Sequence, residues 1–376
     1  MLRLISNFKK IHDSSRHWLE TISIFGMIFL GTETAQAVNF HTELYQGTRV
    51  KGMGGAYVGL ADDHQTLFLN PAGLASVQDN VFYLSDTMME GSEDAYSAVL
   101  KSFGALSGFS IATLNLFQGD NVYARAQTSP MFLMKNFGFG LIFDQQFAYF
   151  TKNLALPKIT LGYQTTMGLQ VAFGTQLSSG RHRPGNPSLN IGGAVKVLWR
   201  RGGYRQWAQS ELLAFDGTIG LATELFGNFG MGLGIDLGAQ YVLPMSRQLQ
   251  LSFGTAFTDI GDTAFSSAAS PQQGNWSAGL GVKYDAGLMD LSFAYDFRNI
   301  LAPLDWRAKN HVGMEVGFPI VDLFVGINQA YLTYGVGVDV WVFKVEAVSY
   351  AEELSAQLFQ DPNRRYMVRI ESKIGF

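Results

Sequence analysis

Four groups of residues in this chain have types and spacings that could carry chemistry. Gly52-Met53-Gly54-Gly55 is rich enough in glycine to wrap a phosphate. Asp62-Asp63-His64 offers three metal-ligating side chains in a row. His311 and Glu315 lie four apart, on one face of an alternating segment, with Arg307 close by. Scattered charges (Asp236, Lys283, Asp290, Asp296, Arg298, Arg369, Lys373) could line a permeation path. Each group meets a simple objection. The glycines fit neither the G-x-x-x-x-G-K-[ST] nor the G-x-G-x-x-G order and sit in no strand–turn–helix unit. Adjacent side chains at a helix start do not converge on one ion, and capping the helix is the blander role for an aspartate there. Histidine is scarce, six residues in all, and no G-x-S-x-G nucleophile elbow is present. The scattered charges mix signs, unlike a single-sign selectivity ring, and fit ion pairing inside the protein better. An enzyme is therefore not expected, and neither is a metal or cofactor.

Composition narrows the field further. Charged residues make up 15% of the 376, against about 25% in ordinary soluble domains. Glycine occurs 42 times, Phe 29 times, and aromatics reach 13%. Such a chain is too apolar to be disordered. Its pI of about 5.9 argues against a nucleic-acid partner, which needs a basic footprint. The absence of Cys removes disulfide scaffolds, zinc ribbons and thiol catalysis. No run of about 18 apolar residues could cross a bilayer as a helix. What remains is a β-rich chain whose outer surface need not meet water.

Residues 1–37 read as an export signal. Arg3, Lys9, Lys10 and Arg16 precede the apolar run Ile22–Leu30, and Ala35-Gln36-Ala37 supplies an A-x-A cleavage site. The run is too short to span the hydrocarbon layer as a helix. Export without cysteine fits a Gram-negative envelope, where disulfides are permitted but not required.

The remaining chain repeats one pattern, bulky apolar residues alternating with small or polar ones. In Phe229–Tyr241 the odd positions are Phe, Met, Leu, Ile, Leu, Ala and Tyr, and the even ones are Gly, Gly, Gly, Asp, Gly and Gln. Leu169–Leu177, Leu189–Trp199, Leu249–Phe257, Trp276–Tyr284, Met289–Arg298 and Val312–Phe318 behave alike. Alternation with period two marks strands. In a soluble sandwich or lipocalin-like barrel the second row would face water and carry Lys, Glu and Thr. Rows of Gly, Ala, Ser and Gln suit a filled interior instead, with the apolar row facing lipid. Only a closed sheet leaves no backbone group unpaired in lipid. The expected fold is all-β: a transmembrane antiparallel barrel of about 14 strands, with the count open up to about 18 because register is uncertain over 200–225 and 321–350. Tight turns are expected at Met134–Gly138, Thr165–Gly168, Leu243–Arg247, Asp285–Gly287 and Phe318–Val321. Longer loops are expected at Ser178–Pro187, Arg200–Asp216, Asp262–Asn275 and Ala351–Asn363, on the opposite side.

The final segment places Tyr366, Val368, Ile370, Ile374 and Phe376 on one face, and the chain ends on Phe376. An amphipathic last strand with a terminal aromatic resembles the signal read by the barrel-insertion machinery of bacterial outer membranes.

Gly47–Ser76 breaks the pattern. Gly52, Gly54 and Gly55 permit close backbone packing or positive φ. Asp62 or Asp63 can cap a short helix over His64–Leu69, and Asn70-Pro71-Ala72-Gly73 ends it, since Pro71 lacks an N–H and restricts Asn70. The segment is mostly apolar and must be buried. The large enclosed space available is the barrel lumen, so a plug is expected. The organisation is then a signal peptide (1–37), a luminal hatch (38–78) and the barrel (79–376).

The block Gly52-x-Gly54-Gly55-Ala56-Tyr57-Val58, then Ala61-Asp62-Asp63, then Asn70-Pro71-Ala72-Gly73-Leu74, resembles the N-terminus of the long-chain fatty acid transporter (FadL/toluene-transport) superfamily and of its shorter PorV-like relatives. The C-terminal stretch Tyr331–Val348, with the aromatic-ending last strand, is also similar. The resemblance implies a 14-stranded outer-membrane barrel with the Asn-Pro-Ala element in a luminal hatch. Hydrophobic substrates of that family pass the hatch and can leave sideways through the wall. The expected function is passive uptake of hydrophobic or amphipathic small molecules, fatty acid- or aromatic-hydrocarbon-like. The alternatives are a PorV-like accessory barrel of a secretion or surface-assembly system and a water-filled porin. Partners are then outer-membrane lipid, the hydrophobic ligand and the insertion machinery.

Overall fold

The computed structural model describes residues 43–97, 121–152, 158–177, 186–208, 227, 229–267, 269–355 and 357–375. The export signal, residues 38–42 of the hatch and Phe376 lie outside the described residues.

Among the described residues, strands in an unbroken antiparallel order form one sheet that closes on itself. They are β1 (Val81–Ser92), β2 (Asn121–Thr128), β3 (Met131–Met134), β4 (Phe137–Lys152), β5 (Lys158–Gln176), β6 (Ser188–Ala208), β7 (Phe229–Pro244) and β8 (Leu249–Thr258). The others are β9 (Asn275–Asp285), β10 (Asp290–Phe297), β11 (Asn310–Gly317), β12 (Val321–Asn328), β13 (Tyr331–Val340), β14 (Phe343–Glu353) and β15 (Pro362–Gly375). β1 pairs with β15, from Val81↔Gly375 to Ser92↔Arg365, and this closes the ring. β2 and β3 both lie between β1 and β4 and together make one wall position. The barrel therefore has fourteen strands.

The break between β2 and β3 falls at Ser129-Pro130, where proline cannot donate to the ladder. Its neighbour β1 bulges at the same level, between Tyr83 and Ser85. Ser129 N–H to Asp86 O (2.9 Å) and Leu141 N–H to Pro130 O (3.0 Å) stitch the wall across this level.

The two faces divide as the alternation requires. Phe229, Met231, Leu233, Ile235 and Leu237 are exposed on the outer face of β7, and Gly230, Gly232, Gly234 and Asp236 are buried on the inner one. On β15, Tyr366, Val368, Ile370 and Ile374 point outward, while Met367, Arg369 and Glu371 are buried. An apolar exterior running around the sheet far exceeds the patches that soluble proteins tolerate, and a closed sheet can bury it in lipid without orphaned backbone groups.

Two expectations about connections fail. Thr165–Gly168 is no turn: β5 runs straight through it, Met167 facing out and Gly168 in. A lone glycine inside intact alternation fills an inner position, here against Leu198. The strand ends that Ser178–Pro187 joins lie at the same end as the Met134–Phe137 turn, opposite to the side expected, and residues 178–185 themselves lie outside the described residues. Residues 200–208 of the expected loop at 200–216 belong to β6, and 209–216 lie outside the described residues. Residues 321–350, open at the sequence level, form β12, β13 and the start of β14.

Candidate functional site

Residues 43–77 contain two short helices, α1 (Thr48–Gly52) and α2 (Thr66–Leu69), and a 3-10 turn over Pro71–Ser76. Almost all of their side chains are buried. Their polar groups bond to inward-facing residues of strands all around the ring. Gln127 on β2 and Gln170 on β5 donate to the carbonyls of Leu44 and Leu67. Gln240 on β7 donates to Leu60, Thr333 on β13 to Gly52, and Arg369 on β15 to Gln46.

Inner-row glycines make the room. Gly174, Gly192 and Gly238 are direct cross-strand partners on β5, β6 and β7. A Cβ at Gly174 or Gly192 would run into the Pro71 backbone, and one at Gly238 into the Asn70 side chain. The Asn70-Pro71-Ala72 element thus rests in a three-glycine cradle. Gly313 and Gly326, partners on β11 and β12, admit Met53 and Gly54 in the same way.

The sequence-predicted hatch residues each have a definite position. Gly52 packs on Phe324, and Gly54 and Gly55 adopt φ of +68° and +87° against β11 and β12. Gly73 lies against Ala61 and Thr66. Asn70 ends α2 and caps the next turn: its side chain accepts from Ala72 N–H (3.3 Å) and donates to Val58 O (3.0 Å). Pro71 takes the first position of the 3-10 turn, where its missing N–H costs nothing. The aspartates differ from the capping expectation. Asp63 accepts from Gln65 N–H (2.9 Å), one residue ahead of α2, and Gln65 holds the cap position without a side-chain bond. Asp62 does not cap; it pairs with Arg49 (2.7 Å) and with Lys283.

Arg49 is the residue the sequence did not single out. It bonds Asp62, Asp63 (2.9 Å) and Glu315 on β11 (2.6 Å) while nearly buried. Its signal was a basic residue inside an otherwise apolar buried stretch. Burial alone would raise the Asp62 pKa, but Arg49 and Lys283 outweigh it and hold the carboxyl well below the usual range. Burial and Asp63, which accepts from the Tyr57 hydroxyl (2.7 Å), push that phenol well up.

The other charge groups also pair. His311 takes the Gly54 carbonyl (2.8 Å) and Glu315 takes Arg49, while Arg307 is exposed and pairs with Asp305. The His311–Glu315–Arg307 trio is therefore not assembled. Arg298 pairs with Glu43 (2.6 Å), Asp236 with Lys196 (2.7 Å) and Lys373 with Asp339 (2.8 Å).

Spaces lie on both sides of this segment. A cavity of about 50 Å³ lies toward the long-loop end, lined by Val50, Tyr57, Val58 and Leu69 together with Lys196 and Asp259. An open mouth of about 590 Å³ lies at the tight-turn end, reaching Arg49, Asp62, Lys283 and Glu315. Asp63 bonds both Tyr57, which lines the cavity, and Arg49, which lines the mouth.

No protein-family model and no curated protein matches the chain. Among solved structures, it is similar to the Pseudomonas putida toluene transporter TodX (13% identity, TM-score 0.45, covering 90% of this chain and 99% of that one). It is also similar to the Ralstonia pickettii toluene transporter TbuX (13%, 0.45, 89% and 99%) and to the monoaromatic hydrocarbon channel CymD (11%, 0.46, 90% and 99%).

Proposed function

We propose that this chain is a gated outer-membrane channel for passive entry of small hydrophobic or amphipathic molecules, with residues 43–77 as its hatch. The observation that carries the reading is that Tyr57, which lines a cavity on the loop side, and Arg49, which lines an open mouth on the turn side, are linked through Asp63. The loop end is then extracellular and the turn end periplasmic. Gly52, Gly54, Gly55, Asp62, Asp63, Asn70, Pro71, Ala72 and Gly73 seat the hatch. The cavity as it stands holds little more than water-sized molecules, so passage needs the hatch to shift. The Ser129-Pro130 break beside the β1 bulge is the point where the wall has least to lose on opening sideways. Residues 1–37 serve as the export signal, and the outer face of β15 as the mark read on insertion.

The test is uptake by proteoliposomes of a labelled fatty acid and a labelled alkane, with glucose as the water-soluble control. Wild type is expected to admit the apolar probes above empty liposomes. The double variant R49Q/D62N should admit them faster, and Pro71→Ala or deletion of 62–74 should alter both uptake and conductance. Uptake at the empty-liposome level in every folded variant would defeat the channel reading. It would favour the accessory barrel of a secretion system, for which the density of ion pairs tying the segment to the wall is the supporting observation.

A further inference from the structure

Asp86 on β1 and Glu371 on β15 are direct cross-strand partners at the seam where the barrel closes. Both point inward, and they are only 1% and 2% exposed. Like charges directly opposite each other destabilise a sheet, so a buried pair of this kind is favourable only beside positive charge. The N-terminal segment delivers His64 there. Its ring nitrogen and one oxygen from each carboxylate all lie within 4.8 Å of one another. His64 Nε2 and Glu371 Oε1 face each other at 3.3 Å as an ion pair, and both are sealed from solvent with no further hydrogen-bond partner. The ring is fixed against Tyr83, with centroids 4.6 Å apart.

The surroundings resemble the outer shell of a metal site. Asp86 accepts from the Tyr45 hydroxyl (2.8 Å) and from Arg369, which orients its carboxylate. Glu346 and Asp322 nearby pair with Lys344, and Arg369 pairs with Asp86.

We propose that His64 Nε2, Glu371 and Asp86 form a site for a divalent transition-metal ion that staples the N-terminal segment to the closing seam. One imidazole nitrogen with two carboxylates suits the Zn²⁺ class and not Ca²⁺ or Mg²⁺, which take six or more oxygens. The site is independent of what the barrel transports.

The full chain, untagged, is refolded into detergent with Zn²⁺ or Co²⁺, dialysed, and assayed for metal by mass spectrometry. About one ion per folded wild-type chain is expected, with visible d–d absorption from bound Co²⁺ and a higher thermal midpoint than after chelator treatment. His64→Gln and Glu371→Gln should each weaken binding about a hundredfold or more, and His182→Gln should leave it unchanged. A folded wild type that retains no metal overturns the proposal, whether or not the variants fold. Loss of metal from H182Q but not from H64Q overturns it too, because binding then resides elsewhere.

Discussion

One oxygen of Asp296, on β10, accepts the backbone N–H groups of both Tyr57 (2.7 Å) and Val58 (2.8 Å). A single wall carboxylate thus fixes two consecutive peptide groups of the N-terminal segment at the level of the loop-side cavity. Asp296 has no exposed surface, so its removal leaves two buried donors without a partner. Asp296→Ala is expected to destabilise the barrel by roughly 3 kcal/mol, and Asp296→Asn, which keeps an acceptor, by about 1 kcal/mol. Denaturant midpoints measured in detergent give both values. Single-channel recordings should show a higher leak in the alanine variant, since the segment loses an anchor without losing the wall.

The glycine cradle makes a steric prediction. A side chain at Gly192 would occupy the space of the Pro71 backbone, whereas one at the adjacent, outward Gly193 meets only ordinary contacts with Leu237 and Asp236. Gly192→Val should cost about 2 kcal/mol or more through overpacking and dislodge the Asn70-Pro71-Ala72 element. Gly193→Ala should stay within about 0.5 kcal/mol of wild type. Limited proteolysis at the segment, compared between the two variants, reads the displacement directly.

The lipid-facing assignment is tested by charge. Leu233 is 64% exposed in the middle of the β7 outer row. Leu233→Arg should cost about 2–4 kcal/mol in a bilayer. Leu288→Arg, in the turn between β9 and β10, should cost about 0–1 kcal/mol, as expected near an interface. The yield of heat-modifiable folded barrel in vesicles measures both. Equal tolerance at the two positions would contradict a bilayer around β7.

Acid should loosen the upper part of the segment. Burial alone would raise the pKa of Glu43, but Arg298, then Lys51, outweigh it and leave the value lowered. A carboxylate whose folded value lies below its unfolded one contributes stability that is complete above about pH 4.5 and is lost as the pH falls through the folded value. Thermal midpoints measured from pH 7 down to pH 3 should therefore drop below about pH 4.5. Arg298→Gln should be less stable at neutral pH, because Glu43 is left short of a partner, and should show a shallower acid decline.

Much of this architecture was legible from residue order. Alternation in segments such as Phe229–Tyr241 assigns each residue to the inside or the outside, because a strand allows only two directions and one-sided burial selects between them. The same rule makes Gly47–Ser76 conspicuous, as an apolar stretch without that period. Local chemistry also placed the Asn70-Pro71 break. The sequence could not show which inner groups meet across the lumen. Asp86 and Glu371 lie on the first and last strands of the barrel, and they become neighbours only because those strands pair. Arg49 finds Glu315, and Gly192 finds Pro71, for the same reason: ring closure and register bring them together, and neither is encoded in a local pattern. The Thr165–Gly168 turn failed on this point, since a glycine that reads as a turn along the chain was answering a side chain on the next strand.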